Sequence, residues 1–197
     1  MKKDTNKEIR YFNEIRAIEN SESRKVEGYA IVFNSQSEDL GFIETIEASA
    51  IDDEVIAKSD VFALMNHDDK RGILARSRKG KGSLKLSIDN KGLKYEFEAP
   101  NTALGNELLE MLKRGDITSS SFAFTVAEHG DKWEKRNGKY YRTITKIDKL
   151  FDVSPVYNPA YSETTVACRS FNDILKIESE NLTQYWDSLE AEIDSIE

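Results

Sequence analysis

Three polar residues capable of joint chemistry stand beside or within apolar stretches of the sequence. His67 follows the apolar residues 61–65, Ser121 precedes an aromatic strand pattern, and Asp152 interrupts another apolar pattern. An imidazole can take the proton of a hydroxyl nucleophile, and a carboxylate can orient the ring and stabilise its charged form. The trio therefore predicts acyl transfer, with Ser121 as nucleophile, His67 as general base and Asp152 as the orienting acid.

The segment around Ser121 predicts a strand that would hold this hydroxyl rigidly. Along residues 119–126 the aromatic side chains alternate with small and polar ones, so we expect the aromatic face in the core and Ser121 facing away from it. Serines also precede strands as ordinary turn residues. Ser119 and Ser120 stay alternative nucleophiles, although Ser120 shares the face of Phe122 and should point inward.

Other polar residues offer competing interpretations. The run His67-Asp68-Asp69 has imidazole and carboxylate groups that suit a divalent cation, but no second His or Cys cluster in the sequence completes such a site. His129 lies in a predicted exposed turn, and Cys168 is expected to be a small buried residue. A hydroxyl nucleophile with an imidazole base needs no metal, so we predict no cofactor.

Bulk composition limits the classes of function. The chain has 197 residues, a net charge of −8 and a pI of about 5.0, so a nucleic-acid partner is not expected. One cysteine cannot form an internal disulfide and indicates a reducing compartment. The sequence has neither an apolar run long enough for a membrane nor an apolar signal segment after its charged first ten residues. We therefore expect a cytoplasmic protein without a membrane partner.

Many short strand patterns surround one well-marked helix. Strands are predicted at residues 9–18, 26–33, 42–46, 61–65, 84–88, 93–97, 119–126, 133–141, 143–156 and 166–168. Asn90 and Gly92, which tolerate positive φ, predict one hairpin, and Asn137-Gly138 predicts another. Residues 48–56 indicate a helical turn. This pattern predicts a mainly β (α+β) fold, namely an antiparallel β-barrel surrounded by a few helices.

The central helix and the C-terminal tail have clearer signatures. Asn101 or Thr102 can cap a helix that runs through Arg114 and ends at Gly115. Beyond residue 170, apolar side chains recur at spacings of three and four in an acidic background, which indicates an amphipathic helix. We predict a domain over residues 1–169 and a helical tail over residues 170–197. The tail either packs on the domain or binds a partner.

An ordered set of motifs resembles the tailed-bacteriophage prohead maturation proteases. It spans roughly residues 8–169 and comprises Gly-Tyr-Ala-Ile-Val-Phe-Asn (28–34), Asn-His-Asp (66–68), Gly-Leu (92–93), Arg-Gly-Asp-Ile (114–117), Ser-Phe-Ala-Phe (121–124), Asp-Val-Ser-Pro-Val (152–156) and Asn-Pro-Ala-Tyr (158–161). The resemblance implies a serine protease with a fold similar to the herpesvirus assembly proteases.

The resemblance also implies residues and partners. His67 matches the His of the Asn-His-Asp motif, and Ser121 matches the Ser before Phe-x-Phe, with Ser120 as its rival. Asp152 stands where the family often has the Glu of Glu-Val-Ser, and Asp148 is the alternative. The implied substrates are scaffold and capsid precursors, cleaved inside the immature prohead in the host cytoplasm. The tail predicts a homo-oligomer, and a non-catalytic scaffold-binding protein on the same fold is the alternative function.

Overall fold

A computed structural model describes residues 7–12, 15–17, 23–157 and 166–194 of the chain. The described part is mainly β, with three α-helices. The strands are β1 (Glu8–Phe12), β2 (Ile15–Ala17), β3 (Lys25–Val32), β4 (Ile43–Ile46), β5 (Asp60–Ala63), β6 (Ala75–Arg78), β7 (Lys81–Gly82), β8 (Lys85–Ile88), β9 (Gly92–Glu98), β10 (Ser119–Val126), β11 (Asp131–Arg136), β12 (Lys139–Ile144) and β13 (Ile147–Val156), and the helices are α1 (Asp53–Lys58), α2 (Ala103–Arg114) and α3 (Val166–Asp194). Short 3-10 helices cover Ala48–Ala50 and Asp69–Arg71.

The strands form three sheets. A six-stranded sheet has the order β1-β10-β13-β5-β6-β7, a four-stranded sheet has the order β2-β3-β9-β8, and a three-stranded sheet has the order β11-β12-β4. None of them closes on itself among the described strands, so the predicted barrel is not confirmed. The pairing is also not purely antiparallel, because β5 runs parallel to β13 and β4 runs parallel to β12.

Strand β10 lies inside the six-stranded sheet and is covered on both faces. Phe122 and Phe124 are fully buried, as the alternation predicted, but Ser121 and Ala123 on the opposite face are buried as well. Ser121 faces away from the aromatic side chains, as expected, and its hydroxyl is buried against His67 and the Arg10 carbonyl. The core that receives the aromatic side chains joins strands of all three sheets with α1 and α2.

Local signals were reliable where capping or turn chemistry decides the structure. Helix α2 begins after Thr102, whose hydroxyl accepts from the Gly105 N–H, and it ends at Gly115 with a left-handed φ of 77°. The hairpin between β11 and β12 turns through Asn137 and Gly138, both with positive φ. These two predictions are confirmed.

The hairpin between β8 and β9 forms for a different reason from the predicted one. Neither Asn90 nor Gly92 adopts a positive φ. A Cβ on Gly92 would lie 1.8 Å from the Ile31 carbonyl oxygen, so this position needs glycine because a neighbouring strand approaches closely. The Asp89 carboxylate accepts from the N–H groups of Lys91 and Gly92 and closes the turn.

Two further boundaries differ from the sequence prediction. The long strand predicted over residues 143–156 is interrupted at Thr145 and Lys146, whose N–H groups both donate to the Gly130 carbonyl. Residues 166–168, predicted as a strand, begin helix α3. A β-branched residue at a helix start costs little, and the helical pattern that follows determines the conformation of this segment.

The chain divides into two compact units, residues 1–162 and residues 163–197. The second contains α3, a helix of 29 residues with exposed large apolar side chains at Ile177, Leu182, Tyr185 and Trp186. The boundary predicted after residue 169 stays a prediction. Within the described ranges, no helix combines the length and apolar character needed to span a bilayer.

Candidate active site

Three neighbouring strands of the six-stranded sheet determine where the polar trio lies. Ser121 is on β10 and Asp152 is on β13, two residues from Ser154, which stands opposite Ser121 in the register. Parallel pairing brings Phe62 of β5 beside Asp152, and the chain then leaves β5 and reaches His67 four residues after the strand ends. The sheet therefore brings together residues that are up to 85 positions apart in the sequence.

The three side chains form one hydrogen-bonded chain. The Nε2 atom of His67 lies 2.6 Å from the Ser121 Oγ, and its Nδ1 atom is hydrogen-bonded to the Asp152 Oδ1. The His67 side chain is 18% exposed, whereas the Asp152 side chain is 2% exposed. A base with one edge open to solvent, backed by a buried carboxylate, has the arrangement that activates a hydroxyl nucleophile.

The His67 side chain is held by a tight turn with unusual backbone angles. Asn66 and His67 both adopt left-handed φ values, 54° and 59°. The turn is fixed by the Asn66 N–H, which donates to the Pro155 carbonyl at 2.9 Å, and by the Asp68 N–H, which donates to the Met65 carbonyl at 3.0 Å. The left-handed conformation costs about 1 kcal/mol per residue. The two backbone hydrogen bonds hold the turn in this conformation and so fix the direction of the imidazole ring.

Asp152 accepts from more groups than the imidazole. The Ser154 hydroxyl donates to Oδ1 at 2.8 Å, and the Lys7 ammonium lies 2.9 Å from Oδ2. Burial alone would raise the pKa of Asp152, but the His67 ring and the Lys7 ammonium outweigh it and hold that pKa below its ordinary value. The carboxylate is therefore ionised at neutral pH despite its burial, as an orienting acid requires.

The Ser121 hydroxyl has two acceptors and one proton. Besides its contact with His67, the Oγ atom lies 2.8 Å from the Arg10 carbonyl oxygen on β1, to which it can donate. When the Nε2 atom of His67 is unprotonated, it can accept the hydroxyl proton; when Nε2 carries a proton, the hydroxyl can donate to the carbonyl instead. Both protonation states of the ring are thus satisfied without moving the backbone.

A second buried polar cluster surrounds the guanidinium of Arg10, the residue whose carbonyl faces Ser121. We call the side chains of Glu8, Arg10, Glu44 and Arg142 the ionic cluster. The Arg10 guanidinium bonds Glu44 at 2.5 and 2.8 Å, and the Arg142 guanidinium bonds Glu8 at 2.6 and 2.9 Å. Burial disfavours the charge on Arg142, but Glu8 and Glu44 outweigh it and raise the pKa of Arg142. The cluster connects β1 to the three-stranded sheet.

The alternative residues lie elsewhere. The Ser120 hydroxyl points to the opposite face of β10 and donates to the buried Tyr95 hydroxyl at 2.9 Å. Asp148 is half-exposed and lies 3.3 Å from the Lys58 ammonium, and His129 is exposed beside Glu128. The Cys168 side chain lies outside the described residues. Among the side chains that the structure describes, no group of three or more His, Cys, Asp or Glu could hold a metal ion.

Sequence reasoning missed three groups at the site: Lys7, Ser154 and the Arg10 carbonyl. Ser154 lies within the Asp-Val-Ser motif, and its spacing of two from Asp152 places both side chains on one face of a strand, which was a usable signal. Lys7 and Arg10 carried no such signal, because their contacts depend on the long-range pairing of β1 with β10.

One of three comparisons with known proteins identifies a family. A sequence profile described as caudovirus prohead serine protease matches residues 13–177, which is most of the chain. Neither a search of curated proteins nor a search of solved structures found a match. The matched range includes His67, Ser121 and Asp152, but it begins after β1.

Proposed function

The chain belongs to the caudovirus prohead serine protease family, and we propose that it is an endopeptidase that cleaves scaffold and major capsid precursor proteins during prohead maturation. The observation that carries this proposal is the 2.6 Å contact between the Ser121 Oγ and the His67 Nε2. The family supplies the reaction type, and the contact supplies a nucleophile and a base.

In the proposed reaction, the Ser121 Oγ attacks the carbonyl carbon of the scissile peptide bond and its proton passes to the His67 Nε2. His67 then gives this proton to the leaving amine as the carbon–nitrogen bond breaks, which leaves an acyl group on Ser121. A water molecule attacks the acyl carbon, its proton passes to His67, and Ser121 recovers a proton when the new carboxyl product leaves. Asp152 keeps the ring oriented and stabilises its positive charge throughout.

Membership of this family also supports a proposal for where the protein acts and what it binds. We propose that the protein acts inside the immature prohead, in the host cytoplasm, where its substrates are concentrated around it. Its acidic net charge of −8 disfavours binding to nucleic acid. The proposal includes neither a membrane partner nor a cofactor, because the proposed steps need only the side chains described above.

Co-expression with the cognate capsid precursor tests this function. We expect the wild-type chain to cleave the precursor at defined bonds, seen by mass spectrometry, and to react with a fluorophosphonate probe. Ser121→Ala should abolish both reactions and leave the melting temperature unchanged within a few degrees. Ser120→Ala is the matched control, because it removes a buried hydroxyl from the adjacent position of the same strand.

Two results would contradict the proposal. Cleavage retained in Ser121→Ala and lost in Ser120→Ala would assign the nucleophile to Ser120. Absence of both labelling and cleavage in the wild-type chain, under conditions in which it binds the precursor, would favour the non-catalytic scaffold-binding alternative.

We further propose that α3 forms a homo-oligomer. Its exposed large apolar side chains include Leu182, Tyr185 and Trp186, which recur at helical spacing and suit a coiled-coil contact. Residues 171–197 carry eight acidic side chains and one basic side chain, so like charges would oppose association at low salt. Sedimentation should therefore show an oligomer that strengthens with salt. Deletion of residues 172–197 should leave a monomer, and an unchanged oligomer would contradict the proposal.

A further inference from the structure

The carboxylate of Asp152 is held at both oxygens. Oδ1 accepts from the His67 ring and from the Ser154 hydroxyl, and Oδ2 faces the Lys7 ammonium. The three donors come from three different places: the turn after β5, strand β13 itself and the residue before β1. Because Lys7 bonds Oδ2 and His67 bonds Oδ1, the two donors do not compete for one acceptor.

Burial makes these additional donors important for the direction of the carboxylate. A buried ionised oxygen without a partner is costly, so loss of a donor would leave the carboxylate free to turn towards other partners. A carboxylate that turns in this way holds the His67 ring less well aimed at the Ser121 Oγ. The reaction rate of Ser121 would then fall even though the carboxylate keeps its charge.

Lys7 is itself held in place. Its ammonium lies 5.4 Å from the centre of the Phe151 ring, a cation–π contact, as well as 2.9 Å from Asp152. Its side chain is 36% exposed, so the stem stays close to the protein while one side of the head group meets solvent. The family profile begins at residue 13, so the family match gives no role to Lys7.

We propose that Lys7 and Ser154 are positioning residues for the protease reaction, holding the Asp152 carboxylate in the orientation that faces His67. This inference rests on the proposed function. It makes β1 and the residue before it part of the functional site. Neither residue touches the reacting atoms, so both act through Asp152.

Loss of the positive charge of Lys7 should shift the pH dependence of the reaction in one direction. The ionisable groups bonded to Asp152 are His67 and Lys7. Asp68, next to His67, accepts from the Lys70 N–H, and Glu8 and Arg10 of β1 are paired within the ionic cluster. Removal of the Lys7 charge leaves the Asp152 carboxylate more negative towards the ring, which favours the protonated imidazole. The pH needed to obtain the unprotonated base therefore rises.

The rate constant for fluorophosphonate labelling of the full chain, measured from pH 5 to pH 9, tests the role of Lys7. In Lys7→Gln we expect the acid-side midpoint of the profile to move upward by about half a pH unit to one pH unit. Lys7→Arg should restore the wild-type midpoint, because it keeps a charge that can reach Oδ2.

Lys25→Gln is the matched control for the charge. Lys25 is paired to Glu96 at 2.9 Å and is 38% exposed, nearly the same as Lys7, but it lies on β3 away from the site. Its profile should coincide with that of the wild type. An unshifted profile in Lys7→Gln, or an equal shift in Lys25→Gln, would overturn the role of Lys7.

Ser154→Ala tests the second donor. We expect a labelling rate about tenfold lower on the plateau, since a hydrogen bond to a charged group is lost, and a midpoint moved in the same direction as in Lys7→Gln. Ser120→Ala, which loses a buried hydroxyl bonded to Tyr95, should label at the wild-type rate. Equal rates in Ser154→Ala and wild type would overturn the role of Ser154.

Failure of this inference differs from failure of the proposed function. If the wild-type chain is labelled, Ser121→Ala is not, and the Lys7 and Ser154 variants match the wild type, only the positioning roles are wrong. If Ser121→Ala is labelled as fast as the wild type, the nucleophile itself is wrong, and the positioning proposal falls with it.

Discussion

Two buried polar clusters lie on either side of strand β1, and they differ in what their protons can do. The ionic cluster contains two guanidinium groups, which keep their protons at any pH the fold tolerates, matched by Glu8 and Glu44. The cluster of His67, Ser121 and Asp152 contains an imidazole, which can accept a proton from the serine and release it again, with one edge open to solvent. Burial of polar groups is common to both, so burial alone does not identify a reactive site.

The two clusters differ in whether a proton can pass from one group to another. In the ionic cluster both guanidinium groups bond both Glu8 and Glu44, and their protons stay on the nitrogen atoms. In the other cluster, the Ser121 hydroxyl can donate to two acceptors, the His67 Nε2 and the Arg10 carbonyl. We expect substitutions in the first cluster to act mainly on stability and those in the second to act mainly on reaction rates.

The largest expected effect on rate comes from His67→Ala. Loss of the base should reduce kcat/KM for precursor cleavage by about 10⁴-fold or more. His129→Ala is the control, because the second histidine also has a left-handed φ, 56°, and so has the same backbone cost, but it is exposed. Equal loss of activity in the two variants would attribute the effect to backbone strain and contradict the role of the ring.

The largest expected effect on stability comes from Arg142→Met. Removal of this guanidinium leaves Glu8 and Glu44 with one buried cation, which should lower the free energy of unfolding by about 3–5 kcal/mol in urea. Arg136→Met changes an exposed ion pair of the same sheet, with Glu134, and should cost less than about 1 kcal/mol. We expect the labelling rate per folded molecule of Arg142→Met to fall less than about tenfold.

Acid should weaken the fold through the carboxylates of both clusters. Burial would raise the pKa of Glu44, but Arg10 and Arg142 outweigh it, and the pKa values of Glu44 and Asp152 both lie below their ordinary values of 4.5 and 3.8. A depressed folded pKa contributes stability above the ordinary value, and this contribution is lost as the pH falls below it. The free energy of unfolding should fall by on the order of 2 kcal/mol between pH 5 and pH 3. Equal values at the two pH values would contradict this.

The smallest expected effect is that of Tyr95→Phe. The variant keeps the ring in the core and removes the hydroxyl that accepts from Ser120, which should cost about 1 kcal/mol and leave the labelling rate unchanged. Tyr29→Phe, whose hydroxyl bonds Asp89 at the surface, is the control and should cost less. A labelling rate reduced by Tyr95→Phe would mean that Ser120 takes part in the reaction.

Parts of the fold that depend on adjacent residues were predictable from the sequence. Thr102 and Gly115 predicted the ends of α2, and Asn137-Gly138 predicted a hairpin, because caps and tight turns depend on a few adjacent residues. The parallel pairing of β5 with β13 carries no local signal, since it joins segments about 90 residues apart. The sequence therefore predicted the mainly β class but neither the sheet order nor the parallel strands.

The same limit applies to the sites. His67, Ser121 and Asp152 were recognisable because each is a polar residue in an apolar setting. The ionic cluster was not predicted, because Glu8, Glu44 and Arg142 are charged residues within alternating strands, where charged side chains normally face solvent. Only the tertiary structure shows that these charges face one another in the interior.

Arg10 is a member of the ionic cluster and also contacts Ser121 of the other cluster, so it couples the two. Its guanidinium is anchored among carboxylates, while its carbonyl oxygen accepts from the Ser121 hydroxyl. A change that shifts the anchor by a few tenths of an ångström would also shift the acceptor and alter how the serine proton is shared. The stability of the fold and the reactivity of Ser121 are therefore linked through β1. Selection for heat resistance at these charged residues would also change the reaction rate of Ser121.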